Sequence, residues 1–369
     1  MSPERSDAAD VFLAASGWGG AARTPLPGDA STRRYERVTR NGRKAMLMDQ
    51  PQNAETPAAP AGATQEARRA LGYNAVARLA GADCGRFIAA SNYLRGRGLS
   101  APEILGADPA LGFVLLEDLG DALYADVVGP ANEEDLYGAA ATVLAALHAD
   151  RAPAMLPPNK ELHAYDEMAL LAEIDLLTQW FMPLALGRAA HDDEVAEHRA
   201  LWRKALGGAL TPDAVFVHRD YHAQNLLWLP GRRGLARVGL IDFQDAVAGS
   251  KAYDLVSLVE DARRDVAPDI ARATTAHYLR AMREQGTPLE EAEFRGRMAV
   301  MAAQRNAKIA GIFARLYKRD GKTRYLGHLP RVWGYLGADL EHPALADLKA
   351  WYDRTIPREK RGAPEGLTP

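Results

Sequence analysis

The sequence predicts an α+β protein in two lobes, a small antiparallel β-sheet lobe over residues 1–119 and a mostly helical lobe over 120–369. Hairpin signals cluster in the first third of the chain, and apolar stripes at helical spacing dominate the remaining two thirds. A run of strands followed by a run of helices is the α+β pattern, and 369 residues exceed one comfortable core.

Residues 8–17, AADVFLAASG, read as a short helix stopped by Gly17. The stretch TPLPGDASTRRYERVTRNGRKAMLMDQP carries two extended runs joined by Asn41-Gly42, the strongest short hairpin signal, because both residues accept positive φ. From Pro51 to Gly81 the composition shifts to Ala, Pro and Gln. PQNAETPAAPAGATQ is linker-like, ARRALGYNAVARLAG is expected to form one amphipathic helix through Leu71, Val76 and Leu79, and residues 51–83 read as an insertion. A helix over Arg86–Arg97 comes next. Pro102 then opens two short strands around Asp108-Pro109, the second ending in Glu117-Asp118-Leu119-Gly120.

Asn132 caps the next helix, with Glu133, Glu134 and Asp135 in its first turn and the stripe Leu136, Ala140, Val143, Leu144 and Leu147. His148 reads as its C-terminal cap. Residues 164–206 give two further helices, and the chain is helical again beyond Asp254. There Arg305, Lys308 and Arg315 recur at helical spacing and read as a solvated basic face.

Composition excludes several classes. Lys and Arg number 45 against 48 Asp and Glu, a net charge of −3, so there is no basic field for nucleic acid. A single cysteine, Cys84, excludes internal disulfides. The N-terminal MSPERSDAADVFLAAS is too acidic for a secretion signal, and no apolar span is expected to approach the roughly 20 residues of a membrane helix. A cytoplasmic protein without membrane partners, monomeric by default, is the expectation.

The chemistry concentrates in Val217–Ser257. Asp220 and Asn225 stand five apart in a polar loop, Asp242 comes after the apolar run Val238–Ile241, and Asp254 lies twelve further on. Phosphoryl transfer from ATP needs a carboxylate to orient the attacking hydroxyl and oxygen ligands to hold magnesium on the phosphates. Asp220 is therefore the expected base, and Asn225 and Asp242 the expected magnesium ligands. Leu226–Leu229 and ARVGLI, flanking PGRRG, would bring Asn225 and Asp242 side by side at one end of a hairpin.

HRDYHAQN, His218–Asn225, and LIDFQDA, Leu240–Ala246, resemble the catalytic and metal-binding loops of the protein-kinase-like small-molecule kinases, the aminoglycoside phosphotransferase and choline kinase superfamily. The resemblance implies a two-lobe kinase fold that uses ATP and Mg2+. It implies that Asp254, with His218, supports the catalytic loop, and that the loop Gly28–Arg34 covers the phosphates through Ser31 and Thr32. Glu117 to Leu119 fall where a hinge binds adenine. The acceptor pocket is expected between hinge and catalytic loop, with Tyr165, Glu173, Gln179 and Trp180 as candidates and His222 as a further contact.

One departure is informative. Strand three of a protein kinase carries a lysine paired with a helix glutamate. Here that strand reads Ala45-Met46-Leu47-Met48, and Arg86–Arg97 has no acid. Arg33, Arg34 or Lys44 is expected to replace the lysine, and Glu66 is a candidate for the missing acid.

QRNAKIAGIFARL, RDGKTRYL, LPRVWGYL, GDASTRRYERV, LMDQP and LLEDLGD resemble one branch of the superfamily, the bacterial anomeric kinases of cell-wall amino sugars. That resemblance implies phosphorylation of N-acetylmuramate or N-acetylglucosamine at the anomeric hydroxyl, in peptidoglycan recycling. The lactyl carboxylate of N-acetylmuramate calls for a cation, and Arg305 is the expected one. Two alternatives stand beside this reading. Asp166, Glu167, Glu173 and Asp175 would suit a cationic acceptor, an aminoglycoside or choline, and the absent lysine would suit a non-catalytic scaffold.

Overall fold

The computed structural model describes residues 2–27, 32–51, 58–79, 81, 83–210 and 213–364. The chain forms two compact units: Met1–Val127 with Ala154–His163 and Gln224–Ala246, and Val128–Pro153 with Ala164–Ala223 and Val247–Pro369.

The first unit is built on a five-stranded antiparallel sheet of β1 (Ala22–Pro25), β2 (Arg34–Arg40), β3 (Arg43–Asp49), β4 (Ile104–Asp108) and β5 (Phe113–Glu117), in the order β1-β2-β3-β5-β4. Asn41 and Gly42 turn β2 into β3 with φ of 50° and 75°, as the hairpin signal requires. Alternate residues Val38, Ala45, Leu47, Phe113 and Leu115 face the helix Pro3–Ala15, which contributes Ala9, Phe12 and Leu13. Burying each large side chain is worth about 1.5–3 kcal/mol.

That helix starts earlier than the apolar pattern, because Ser2 caps it through the Arg5 N–H and Pro3 fits its first turn. Strand β1 is too short for its sequence to announce. The single helix expected through Leu71 and Leu79 is broken instead. Gly72, at φ 91°, ends Gln65–Leu71, a π turn Asn74–Arg78 comes after it, and the buried Arg68 guanidinium donates to the carbonyls of Ala75 and Val76. Beyond it, Asp83 caps the helix Cys84–Gly96.

The second unit is helical. Glu133–His148 packs on Pro268–Glu284, and the long helix Glu291–Asp320 packs on Glu167–Leu176, Ala252–Val259 and Leu329–Asp339. Gly311 sets one of these crossings: a Cβ there would lie 2.4 Å from the carbonyl carbon of Leu176. The close approach brings together Lys308 and Glu173, each one turn before the crossing on its own helix.

Three sequence expectations change here. Glu167–Leu186 runs on as a 20-residue helical stretch apolar and long enough to cross a membrane, although most of it is buried in the unit. The basic stripe is not a solvated face, because Lys308 turns inward onto the buried Glu173 and Arg305 is itself buried. His148 is the last helical residue rather than the cap, which is Ala149, and it is fully buried, its Nδ1 2.9 Å from the Tyr278 hydroxyl, and burial pushes its imidazole down to about 3.

Candidate active site

In the first unit, Leu226–Trp228 pairs antiparallel with Val238–Leu240, with Leu226 opposite Leu240. The Ile241 N–H donates to the Asn225 carbonyl at 3.1 Å, so Asn225 and Asp242 stand together at the open end of this ladder, as their spacing predicts. Phe243, stacked on Phe87 with ring centroids 4.8 Å apart, anchors the turn. Asp242 adopts φ 66°, a left-handed conformation that short polar side chains accept more readily than other non-glycine residues. Its carboxylate is 38% exposed, and Oδ1 accepts from Arg33 Nη2 at 2.9 Å and from Gln244 Nε2 at 3.2 Å.

Of the three cations expected to replace the strand-three lysine, Arg33 is buried against Asp242, whereas Arg34 and Lys44 are exposed. Burial alone would lower the Arg33 pKa; Tyr35, Asp242 and Asp245 outweigh it and hold the guanidinium charged. Thr32 is exposed beside it, and Ser31 lies outside the described residues. Glu117 closes β5, its N–H donating to the Glu103 carbonyl and its carboxylate accepting from Arg232 at 2.5 Å. Arg37, given no role by the sequence, ties down the segment after it through Asp118 at 2.8 Å and Asp121 at 2.6 Å. Leu119 packs over Gly239, where a Cβ would come 3.3 Å from its methyl group. Glu66 is exposed on the short Gln65–Leu71 helix.

An asparagine amide and a half-exposed carboxylate at the end of one hairpin fit a magnesium ion, which takes hard oxygens and keeps several waters. No cluster of three or more His, Cys, Asp or Glu of metal-binding geometry exists among the described residues.

In the second unit, Val215–Val217 leads into the loop bearing Asp220. Asp254, fully buried on Ala252–Val259, accepts the N–H groups of His218 at 2.6 Å and Arg219 at 2.9 Å. These bonds hold Arg219 at φ 76°, a conformation that is strained for a long side chain. Burial drives the Asp254 carboxyl up to about 7 against those two bonds. The fully buried His218 ring packs edge-on against Tyr221, whose hydroxyl donates to the Ala140 carbonyl. Asp254 thus holds the backbone of the loop at His218 and Arg219.

Glu173 organises the floor of this half. Its carboxylate, 1% exposed, accepts from Arg219 at 2.5 Å, Lys308 at 2.9 Å, Gln304 at 3.2 Å and the Tyr165 hydroxyl. Lys308 also donates to the Tyr253 hydroxyl at 3.1 Å. Burial would raise the Glu173 pKa, but Lys308 and Arg219 hold it below the usual value. Burial would raise that of Asp220 too; His222, Lys308, Arg219 and His218 outweigh it and bring the carboxyl down to about 2. Lys308 carried no functional expectation, since its spacing to Arg305 matches that of an exposed face equally well. Only a buried acid on the facing helix distinguishes the two, and the sequence does not say which helices face.

The remaining acceptor candidates divide. His222 is buried beside Asp220, and Arg305 is buried with Nη1 donating to the Glu260 carbonyl at 3.0 Å. Gln179 is exposed and Trp180 half-exposed. The acids that suggested a cationic acceptor are engaged: Asp166 caps its helix, Glu167 meets Arg203 at 3.1 Å, Asp175 meets Arg199 at 2.7 Å, and Glu173 sits in its network. A cavity of about 430 Å3 lined by Arg264, Asp265, Arg331 and Tyr335 contains none of the candidate residues.

In the second unit a buried Asp254 holds the loop that carries Asp220, and in the first unit a hairpin end carries Asn225 and Asp242 beside Arg33. The sequence pattern of the phosphotransferase enzyme family (APH) matches residues 22–293, and the chain belongs to that family. It is 44% identical over 368 residues, 98% of this chain and 99% of the other, to the N-acetylmuramate/N-acetylglucosamine kinase of Caulobacter vibrioides. It is 33% identical over 345 residues, 92% and 90% of the two chains, to the kinase of the same name from Pseudomonas aeruginosa. In fold it is similar to a choline/ethanolamine kinase family protein from Mesorhizobium loti, at TM-score 0.57 and 16% identity, covering 94% of this chain and 98% of that one.

Proposed function

We propose that this enzyme transfers the γ-phosphoryl group of ATP to the anomeric hydroxyl of N-acetylmuramate or N-acetylglucosamine, giving the sugar 1-phosphate during peptidoglycan recycling. The observation that carries the reading is the end-to-end match to a kinase named for these two sugars, with the expected residue set Asp220, Asn225, Asp242 and Asp254 in place. Asp220, ionised, orients the hydroxyl for in-line attack and takes its proton. An anomeric hydroxyl is more acidic than an ordinary alcohol, so a weak base suffices. Asn225 and Asp242 would hold magnesium, which neutralises charge developing on the phosphates. Arg33 supplies the cation that strand three lacks, and its burial beside Asp242 favours it over Arg34 and Lys44.

Full engagement of Asp166, Glu167, Glu173 and Asp175 argues against a polycation pocket and supports an uncharged or anionic acceptor. The test is ATP consumption with magnesium against N-acetylmuramate, N-acetylglucosamine, choline and an aminoglycoside, with phosphorus NMR of the product. A sugar 1-phosphate is expected. Phosphate on another acceptor would replace the sugar assignment, and nucleotide binding without turnover on any of the four would revive the scaffold reading.

A further inference from the structure

Asp261 lies just beyond the helix that carries Asp254, and its side chain is 1% exposed. Oδ1 accepts the Arg263 N–H at 2.8 Å, while Oδ2 is buried without a hydrogen-bond partner among the described residues. The backbone on both sides is fixed. Arg305 donates to the Glu260 carbonyl at 3.0 Å, and Arg331 to the Ala262 carbonyl at 3.2 Å while also pairing with Asp265. A buried carboxylate oxygen with no donor within hydrogen-bond distance is costly, and such a group in a native structure calls for a partner that function can supply.

Its surroundings indicate which partner. His222, in the loop that bears Asp220, is acted on by both carboxylates, Asp261 and Asp220, and by the cations Arg263 and Arg305. Asp261 therefore lies within electrostatic reach of the loop that bears Asp220. The ligand completing it must bring a donor, and an alcohol acceptor with several hydroxyls does. We infer that Asp261 is a specificity-determining residue whose free oxygen accepts a hydrogen bond from a non-reacting hydroxyl of the acceptor, so that one particular hydroxyl is presented to Asp220. The inference rests on the sugar-kinase reading for the identity of the acceptor, but not for the role of Asp261.

The test uses the full-length chain with Asp261→Asn and Asp261→Ala. Asparagine keeps the oxygen that accepts from Arg263, so a residue serving only that turn would tolerate it. It replaces the free acceptor by a donor. The expected result for Asp261→Asn is a rise in acceptor KM of roughly 10- to 100-fold, the range for a lost hydrogen bond to a charged group, with ATP KM and melting temperature close to wild type. A set of monodeoxy N-acetylglucosamines is expected to contain one analogue that wild type discriminates against and Asp261→Asn does not. An unchanged acceptor KM in Asp261→Asn, or equal changes in both KM values with a lowered melting temperature in both variants, would overturn the inference. If wild type phosphorylates some other alcohol, the same acceptor-against-ATP split is measured with that alcohol, so failure of the sugar assignment is read separately.

Discussion

The two polar centres differ in how far their carboxylates are withdrawn from solvent. In the first unit Asp242 keeps more than a third of its side chain in solvent. In the second unit Glu173 is almost completely buried and receives four side chains. A group that exchanges ligands in every turnover has to remain accessible, whereas one that fixes the shape of a site has to be satisfied within the fold. On the proposed reading Asp242 is the first kind and Glu173 the second, with Asp220 supported by the Glu173 network.

The largest effect separates chemistry from support. Asp220→Ala is expected to lower kcat by roughly 10² to 10⁴ while leaving ATP binding near wild type. Near-full turnover in that variant would remove Asp220 from the base role. Next comes a pair of substitutions with opposite signatures. Glu173→Ala leaves Arg219 and Lys308 buried without their carboxylate, and is expected to cost about 3–5 kcal/mol of stability in urea unfolding. Asp242→Asn keeps the left-handed backbone and loses only a charge. It is expected to destabilise less than Glu173→Ala, because Asp245 still faces Arg33, while abolishing magnesium-dependent turnover. Equal losses of stability in the two variants would erase the distinction between the centres.

Arg33→Ala is the next smaller effect. The guanidinium sits against Asp242, so its removal is expected to raise ATP KM about tenfold, as for one lost charged contact. Arg34→Ala and Lys44→Ala, both at exposed positions, are expected to match wild type. A larger ATP effect at Lys44 would transfer the cation's role there.

What the sequence made legible is what depends on local order. The Asn41-Gly42 hairpin, the ladder that joins Asn225 to Asp242, and Asp254 at the start of its helix are all specified by residues close together in the chain. What stayed hidden depends on which helices face each other. Arg305 and Lys308 have the spacing of a solvated face, and only the crossing at Gly311 turns Lys308 onto Glu173. The burial of Arg33 against Asp242, with Arg34 exposed at the start of β2, likewise needed the fold, because the sequence offers the two arginines side by side. Asp261 gives no sequence signal, since an unpaired oxygen becomes visible only after every neighbour has been placed.

The smallest effect concerns pH, and it tests whether the buried cations reach Asp220. Its carboxyl lies at about 2 in the folded protein, below the ordinary 3.8, because His222, Lys308, Arg219 and His218 outweigh its burial. The stability this group adds is present above about pH 3.8, where the unfolded carboxyl is ionised, and is lost as pH falls through about 2. The same shift keeps the base ionised from about pH 4 upward. The kcat/KM profile is therefore expected to carry no acid limb from Asp220 between pH 4 and 8. Lys308→Met removes one of those cations and is expected to move the Asp220 limb upward. An acid limb above pH 5 in wild type that Asp220→Asn removes would show the carboxyl titrating in the working range. In that case the Glu173 network would support the fold without tuning the base.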